Sequence, residues 1–276
     1  MEEKMTPEQK KILEDLRLPK SILERIEGKP FEMDDTGKSG APVLIFDDSV
    51  LKIVLFREEN EEVVNLMRWL KGKLPTPEVI LYEKDAERQY LLMSKVTGTM
   101  SCDSYYLEHP DELLRILAEG LKMLWEIDTS DCPRIRDLDA ELKDARYNVE
   151  HGLVDMENAE PTTFGEGGFK DPAELLDWLE NHRPSYEPVF SHGDFCLPNV
   201  LIKDGKVSGY IDMATAGIGD KWRDIALCYR SFKHNMDGTY GGKVYSGYDP
   251  DQLFEALGIE PDREKIRYYL LLDELF

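Results

Sequence analysis

A chain of 276 residues is long enough for one large domain or two lobes with substantial cores. With 41% hydrophobic and 10% aromatic residues it reads as globular, and no run of about 18 apolar residues offers a membrane span. Its 34 basic and 56 acidic side chains leave a formal charge of −22, which aids solubility, repels nucleic acid and anionic membranes, and attracts cations.

Thr6-Pro7-Glu8-Gln9 reads as a helix start, with Thr as N-cap, Pro in the first helical position and Gln closing a capping box; the helix is expected to run through Leu16. Gly37-Lys38-Ser39-Gly40 reads as a small-residue turn. Residues 42–46 and 50–56 read as strands about the turn Asp47-Asp48-Ser49. Between 58 and 71, Val63, Leu66, Met67 and Leu70 recur at helical spacing, and Pro75 and Pro77 close the segment. Residues 78–82 and 89–94 read as another hairpin, linked through Lys84-Asp85-Ala86-Glu87. After Gly98 the character changes: Leu113, Leu114, Leu117, Leu121, Leu124 and Trp125 mark a long amphipathic helix. Helical stretches follow at 138–149 and 172–181. Short strands at 199–203 and 206–212 meet at Asp204-Gly205, a strong hairpin signal. Asp220 is placed to cap a helix through Phe232, and two last helices are expected over 251–257 and 262–275.

A strand-rich first lobe, residues 1–95, thus precedes a mainly helical second lobe, residues 96–276: α+β organisation with a connector near 94–99. Ligand clefts commonly form between such lobes. The charged opening segment lacks an apolar signal region, so a cytoplasmic location is expected. Cys102, Cys132, Cys196 and Cys228 are scattered without a C-x-x-C pair, and read as thiols of a reducing compartment. No pattern bears on oligomeric state.

The most informative stretch is Ser191-His192-Gly193-Asp194-Phe195-Cys196-Leu197-Pro198-Asn199, with the spacing His-x-Asp-x-x-x-x-Asn. In kinases such a loop places an Asp against the acceptor hydroxyl and an Asn on a metal ion. Ile211-Asp212-Met213 follows at the end of the second hairpin strand, where a kinase of this type keeps a further metal-binding carboxylate. A lone His-x-Asp is a chance event, but Asp, Asn, hairpin and second Asp together form a much rarer pattern. Phosphoryl transfer needs positioning and charge neutralisation more than covalent chemistry. Asp194 is therefore read as the catalytic residue that orients the hydroxyl and accepts its proton. Asn199 and Asp212 are read as Mg²⁺ ligands through hard oxygens. His192 is read as a loop organiser rather than the base.

Lys52, inside the apolar strand Val50-Leu51-Lys52-Ile53-Val54-Leu55, shares a face with Val50 and Val54 and is placed to reach nucleotide phosphates. Its partner is sought among Glu58, Glu59, Glu61 and Glu62 at the start of the next helix, and Glu62 is chosen. The run Thr36-Gly37-Lys38-Ser39-Gly40-Ala41 lacks Walker A spacing, but its small residues suit a loop that covers phosphates with backbone N–H groups.

The stretches FSHGDFCLPN (190–199), KDGKVSGYID (203–212), DKWRDIA (220–226) and YYLLLDELF (268–276) resemble the aminoglycoside 3'-phosphotransferases, or kanamycin kinases. So do WLKGKLPTPEV (69–79), LLMS (91–94) and SDCP (130–133), and the likeness runs from about residue 5 to the last. The resemblance implies a protein-kinase-like fold, ATP with Mg²⁺ as cofactors, and phosphorylation of the 3'-hydroxyl of kanamycin- or neomycin-type antibiotics, conferring resistance. It implies Asp194 as catalytic aspartate, Asn199 and Asp212 on the metal, and Lys52 on the phosphates. It also implies Ser39 in the phosphate loop, with Ser94 and Val96 meeting adenine through backbone atoms. The polycationic drug is expected to meet Asp155, Glu157 and Glu160 of an inserted acidic loop, Asp273 and Glu274 of the last helix, and the Phe276 carboxylate. Charge-assisted hydrogen bonds suit ammonium groups. Arg230 is expected to orient these carboxylates.

Three departures stand out. Val50 occupies the place where the family often has an aromatic residue on adenine, which leaves GTP as an alternative nucleotide. Ungapped counting puts Val63 where the Lys-pairing Glu belongs, one residue from Glu62. Met213-Ala214-Thr215-Ala216-Gly217 lacks the family's basic residue after the second metal Asp. Two other readings remain: a related small-molecule kinase acting on another amine-bearing alcohol or sugar, and a nucleotide-binding protein without catalysis. A protein-kinase role is disfavoured by the short segment after Asp212 and the lack of an Ala-Pro-Glu segment.

Overall fold

The computed structural model describes residues 5–34 and 42–276. The chain divides into two compact units, Met1–Thr97 and Gly98–Phe276.

In the first unit, α1 (Pro7–Leu16) begins with the expected capping box: Thr6 Oγ accepts the Gln9 N–H, and Gln9 Oε1 accepts the Thr6 N–H. A second helix, α2 (Lys20–Ile26), was not read from the sequence. It has no side-chain cap, and the burial of Ile22 and Ile26 anchors it. Strands β1 (Glu32–Met33), β2 (Val43–Ile45) and β3 (Ser49–Leu55) lead to α3 (Glu58–Leu70), then β4 (Val79–Lys84) and β5 (Arg88–Ser94). They form one antiparallel sheet in the order β1-β2-β3-β5-β4. Alternation along β3 sends Leu51 and Ile53 into the core with Ile22, Ile26 and Tyr90. Lys52 does share the other face with Val50 and Val54, and that face is only half-buried.

The second unit contains β6 (Thr99–Met100), α4 (Ser104–Leu107), α5 (Pro110–Trp125), α6 (Leu138–Glu150), α7 (Pro172–Asn181) and β7 (Pro188–Ser191). It continues with β8 (Val200–Lys203), β9 (Lys206–Tyr210), β10 (Gly217–Asp220), α8 (Lys221–Met236), α9 (Gln252–Leu257) and α10 (Arg263–Asp273). β8 and β9 form the expected hairpin; Asp204 and Gly205 take the positive φ values, 51° and 70°, that such a turn needs. α8 outlasts its expected end, reaching Met236, and α10 packs against it. The short strands β7 and β10 pair antiparallel, with Ser191 opposite Gly217. Four residues each, they carry too little alternation to be read from sequence. Their pairing closes off the segment that carries the His192–Asn199 loop and the β8–β9 hairpin. Among the described residues no helix is long and apolar enough to cross a membrane.

Candidate active site

The loop leaving β7 is anchored from below by a buried carboxylate. The N–H groups of His192 and Gly193 both donate to Asp224 of α8, each at 2.8 Å. Gly193 has φ +77°, and a Cβ there would lie 2.5 Å from the Thr215 carbonyl oxygen, so the close crossing of the two segments requires glycine. The buried His192 ring donates from Nε2 to the Ile211 carbonyl at 2.9 Å and accepts the Asp194 N–H on Nδ1 at 3.3 Å. One tautomer satisfies both bonds, and the ring serves as a strut.

Asp194 is half-buried. Its Oδ2 accepts Asn199 Nδ2–H at 2.9 Å, and its Oδ1 accepts the Cys196 thiol at 3.0 Å. Burial first, and then the neighbouring Asp194 carboxylate, push the Cys196 thiol well above its ordinary range, so it remains a donor. Because Asn199 spends its NH₂ on Asp194, its Oδ1 is left as an oxygen ligand. The Ile211 N–H donates to the Asn199 carbonyl at 3.0 Å while the Ile211 carbonyl takes the His192 bond. The chain is thus fixed beside Asn199 as it enters Asp212. Asp212 stands at φ 58° and ψ 64°, a left-handed conformation rare outside glycine, and is exposed.

Beneath the loop lies Arg223. Its Nε donates to the Gly193 carbonyl at 3.0 Å and lies 2.8 Å from Glu141 Oε1, while Nη2 donates to Asp273 Oδ1 at 3.2 Å. Burial pushes the Glu141 carboxyl up to about 7 against the pull of Arg223. Burial likewise raises Asp224, opposed by His192 and the two backbone N–H groups. For Arg223, burial opposes the charge but Glu141 and Asp273 outweigh it, so the guanidinium stays charged.

Arg223 leads into an acidic cluster. Asp273 also pairs with Arg230, whose Nη1 lies 3.6 Å from Glu274 Oε1. Glu274 Oε2 accepts the Glu160 N–H at 3.1 Å, and Glu160 Oε1 lies 2.7 Å from His234 Nε2. Glu160, Arg230, Asp273 and Glu274 are therefore brought together and joined through Arg223 to the Asp194 loop. Asp155 and Glu157 lie in the exposed turn after α6, where Asp155 Oδ1 accepts the N–H groups of Glu157 and Asn158 at 3.2 and 3.3 Å. Phe276 is exposed, with its ring 5.7 Å from the Arg223 guanidinium.

In the first unit, Lys52 is half-buried on β3 and Glu62 is exposed on α3, where Glu61 pairs with Lys84. Ser94 Oγ accepts the Glu78 N–H at 2.8 Å, and Val96 is half-buried just beyond β5. Ser39 lies outside the described residues. Sequence reading missed Glu141, Cys196, Arg223 and Asp224. The signal for Asp224 was present: it is an acid directly followed by the apolar run Ile225-Ala226-Leu227, in a helix that buries 11 of its 16 residues.

Asp194 held by Asn199, with Asp212 at the end of the hairpin that follows, is the arrangement of a phosphoryl-transfer loop. The model of the phosphotransferase enzyme family matches residues 46–266, and the chain belongs to that family. It is 39% identical over 276 residues to an aminoglycoside 3'-phosphotransferase of Enterococcus faecalis, a match covering 99% of this chain and 98% of that protein. The solved structure of aminoglycoside phosphotransferase APH(3'')-Id from Streptomyces rimosus superposes with a TM-score of 0.79 at 24% identity, covering 96% of this chain and 98% of that one. The same enzyme in complex with ADP and streptomycin gives a TM-score of 0.72 at 25% identity, covering 87% and 94%. The likeness to aminoglycoside 3'-phosphotransferases thus extends over the whole chain, and the fold is of the protein-kinase-like class.

Proposed function

We propose that this protein transfers the γ-phosphate of ATP to the 3'-hydroxyl of an aminoglycoside of kanamycin or neomycin type, and thereby confers resistance in the cytoplasm. The observation that carries the reading is the join between two chemistries in one unit. A carboxylate clamped on both oxygens, Asp194, is connected through Gly193, Arg223 and Asp273 to the acidic cluster of Glu160 and Glu274. The relative of known structure that binds ADP and streptomycin supports it, as does the identity to an aminoglycoside 3'-phosphotransferase.

Asp194 orients the acceptor hydroxyl and takes its proton at Oδ1 or Oδ2; the Asn199 and Cys196 bonds restrict its rotation in advance of substrate. Asn199 Oδ1 and the Asp212 carboxylate would hold Mg²⁺, as hard oxygens suit that ion. When bound, the ion neutralises charge on the phosphate oxygens. Lys52, paired with Glu62, would contact the α- and β-phosphates, Ser39 would lie in the covering loop, and Ser94 and Val96 would meet the base through backbone atoms. Glu160, Glu274, Asp155, Glu157, Asp273 and the Phe276 carboxylate would receive the drug's ammonium groups, with Arg230 orienting the last-helix pair. The overall charge of −22 favours encounter with such a polycation.

The test is nucleotide turnover with Mg²⁺, ATP or GTP, and aminoglycosides with and without a 3'-hydroxyl, beside choline and glycated amines. Turnover confined to 3'-hydroxyl drugs, and abolished in Asp194→Ala with nucleotide affinity kept, is expected. Turnover only with choline or glycated amines would transfer the assignment to another amine-bearing acceptor. Nucleotide binding without turnover would make the protein a non-catalytic binder.

A further inference from the structure

One aromatic ring at the acidic cluster has no part in the chemistry described so far. After α8 the chain turns through Gly238, Gly241 and Gly242, at φ +85°, +78° and +75°. This turn is pinned to the helix, since the Tyr240 N–H donates to the His234 carbonyl at 2.9 Å and the Tyr245 N–H to the Met236 carbonyl at 2.8 Å. Farther along, Lys243 pairs with Glu108 at 2.8 Å. The turn therefore delivers the Tyr240 side chain to a set position.

That position is beside the acceptor cluster. The Tyr240 ring lies 5.1 Å from His234, edge to face, and His234 Nε2 in turn lies 2.7 Å from Glu160 Oε1. The charged and polar groups that act electrostatically on its phenol are Arg230, Cys196, Glu160 and Asp273. Cys196 is the residue whose thiol holds Asp194. Tyr240 thus adjoins the acceptor cluster through His234 and Glu160, and its phenol is within electrostatic range of Cys196 and Asp273. Yet 46% of its surface remains exposed, so the ring is open to a ligand. A ring face next to carboxylates attracts cations twice over, through its quadrupole and through the neighbouring charge. A sugar ring bearing ammonium groups offers both a flat apolar face and the cation to such a wall.

We propose that Tyr240 is a specificity-determining residue of the acceptor site, a cation-binding aromatic wall that receives an amino-sugar ring alongside Glu160. The proposal rests on the aminoglycoside reading of the same site. It requires the ring and not the hydroxyl. Tyr240→Ala should therefore raise the drug KM by roughly 2- to 30-fold with little change in kcat or in the KM for ATP. Tyr240→Phe should restore the drug KM to within about twofold of the parent. The side chain is exposed on a loop, so neither variant should disturb folding, which a thermal melt checks.

The readouts are steady-state turnover with a kanamycin-type drug and calorimetric binding of the same drug to the nucleotide-loaded protein. An unchanged drug KM and Kd in Tyr240→Ala would overturn the proposal, as would equal losses for drug and ATP or failure of Phe to rescue. A parent protein that binds the drug through Tyr240 without phosphorylating it would uphold the wall and remove the proposed activity. A parent that neither binds nor turns over aminoglycosides would remove both.

Discussion

Replacing Asp224 should disorder the loop that carries Asp194 while leaving Asp194 and the acidic cluster in the chain. The Asp224 carboxylate is fully buried and receives the N–H groups of His192 and Gly193, both at 2.8 Å. A buried donor left without an acceptor costs about 1–3 kcal/mol, so Asp224→Ala, which abandons two, should lose about 2–6 kcal/mol. Asp224→Asn keeps one oxygen and turns an NH₂ toward the second donor, so it should lose about 1–3 kcal/mol. The Asn variant is the more informative, because that loss leaves a domain of ordinary stability folded. With one anchor gone, Gly193 and Asp194 shift, and a displacement of about 1 Å at a reacting group can cost 10²-fold in rate. Urea unfolding followed at the buried Trp222, two residues away, gives the stability change. Steady-state kinetics give kcat, which should fall at least tenfold while the KM for ATP holds. If Asp224→Asn keeps its unfolding midpoint and kcat within twofold, the anchoring argument is wrong.

Other outcomes follow from the same geometry. Gly193→Ala places a methyl 2.5 Å from the Thr215 carbonyl oxygen in a left-handed residue; kcat should drop by more than about tenfold with nucleotide affinity retained, and wild-type kinetics would contradict the close crossing. Cys196→Ala removes the thiol donor from Asp194 Oδ1 and should lower kcat by about 2- to 10-fold, whereas Cys196→Ser should retain most of it. Lys221 and then Lys265, aided by the Trp222 ring N–H, hold the Glu187 carboxyl down to about 2 from an ordinary 4.5. A depressed carboxylate stabilises the fold above its unfolded value and loses that contribution as pH falls through its folded one. Wild type should therefore lose stability faster than Glu187→Gln between pH 4.5 and 2, with the two converging below, in acid titrations followed by circular dichroism. The group is partly exposed, so the difference should shrink in high salt.

The elements legible in the sequence were those with strong local signals. The Thr6 capping box, the Asp204-Gly205 turn and the leucine spacing of α5 each encode their structure within a few residues, and each forms as read. The elements that escaped depend on tertiary partners. α2 is anchored by Ile22 and Ile26 in the sheet's core, and β7 with β10 exists only through their mutual pairing. The site divides in the same way. Asp194, Asn199 and Asp212 stand at a spacing that chemistry dictates, so they can be read from one strand of text. Asp224, Arg223 and Glu141 act from helices 30 or more residues away, on groups they never neighbour in sequence. The apolar run Ile225-Ala226-Leu227 after Arg223 and Asp224 was their sole local trace, and Glu141, in the charged helix α6, had none. The left-handed backbone of Asp212 left only a weak trace, since Asp tolerates that region better than most residues but does not require it.

The position of the transferred phosphate tests the account most directly. Incubation of the protein with MgATP and a kanamycin-type drug, followed by phosphorus and proton NMR of the purified product, reads that position without assumption about the site. A single phosphate ester on the 3'-oxygen is the result this structure leads one to expect. An unmodified drug, or an ester at any other oxygen, would contradict it.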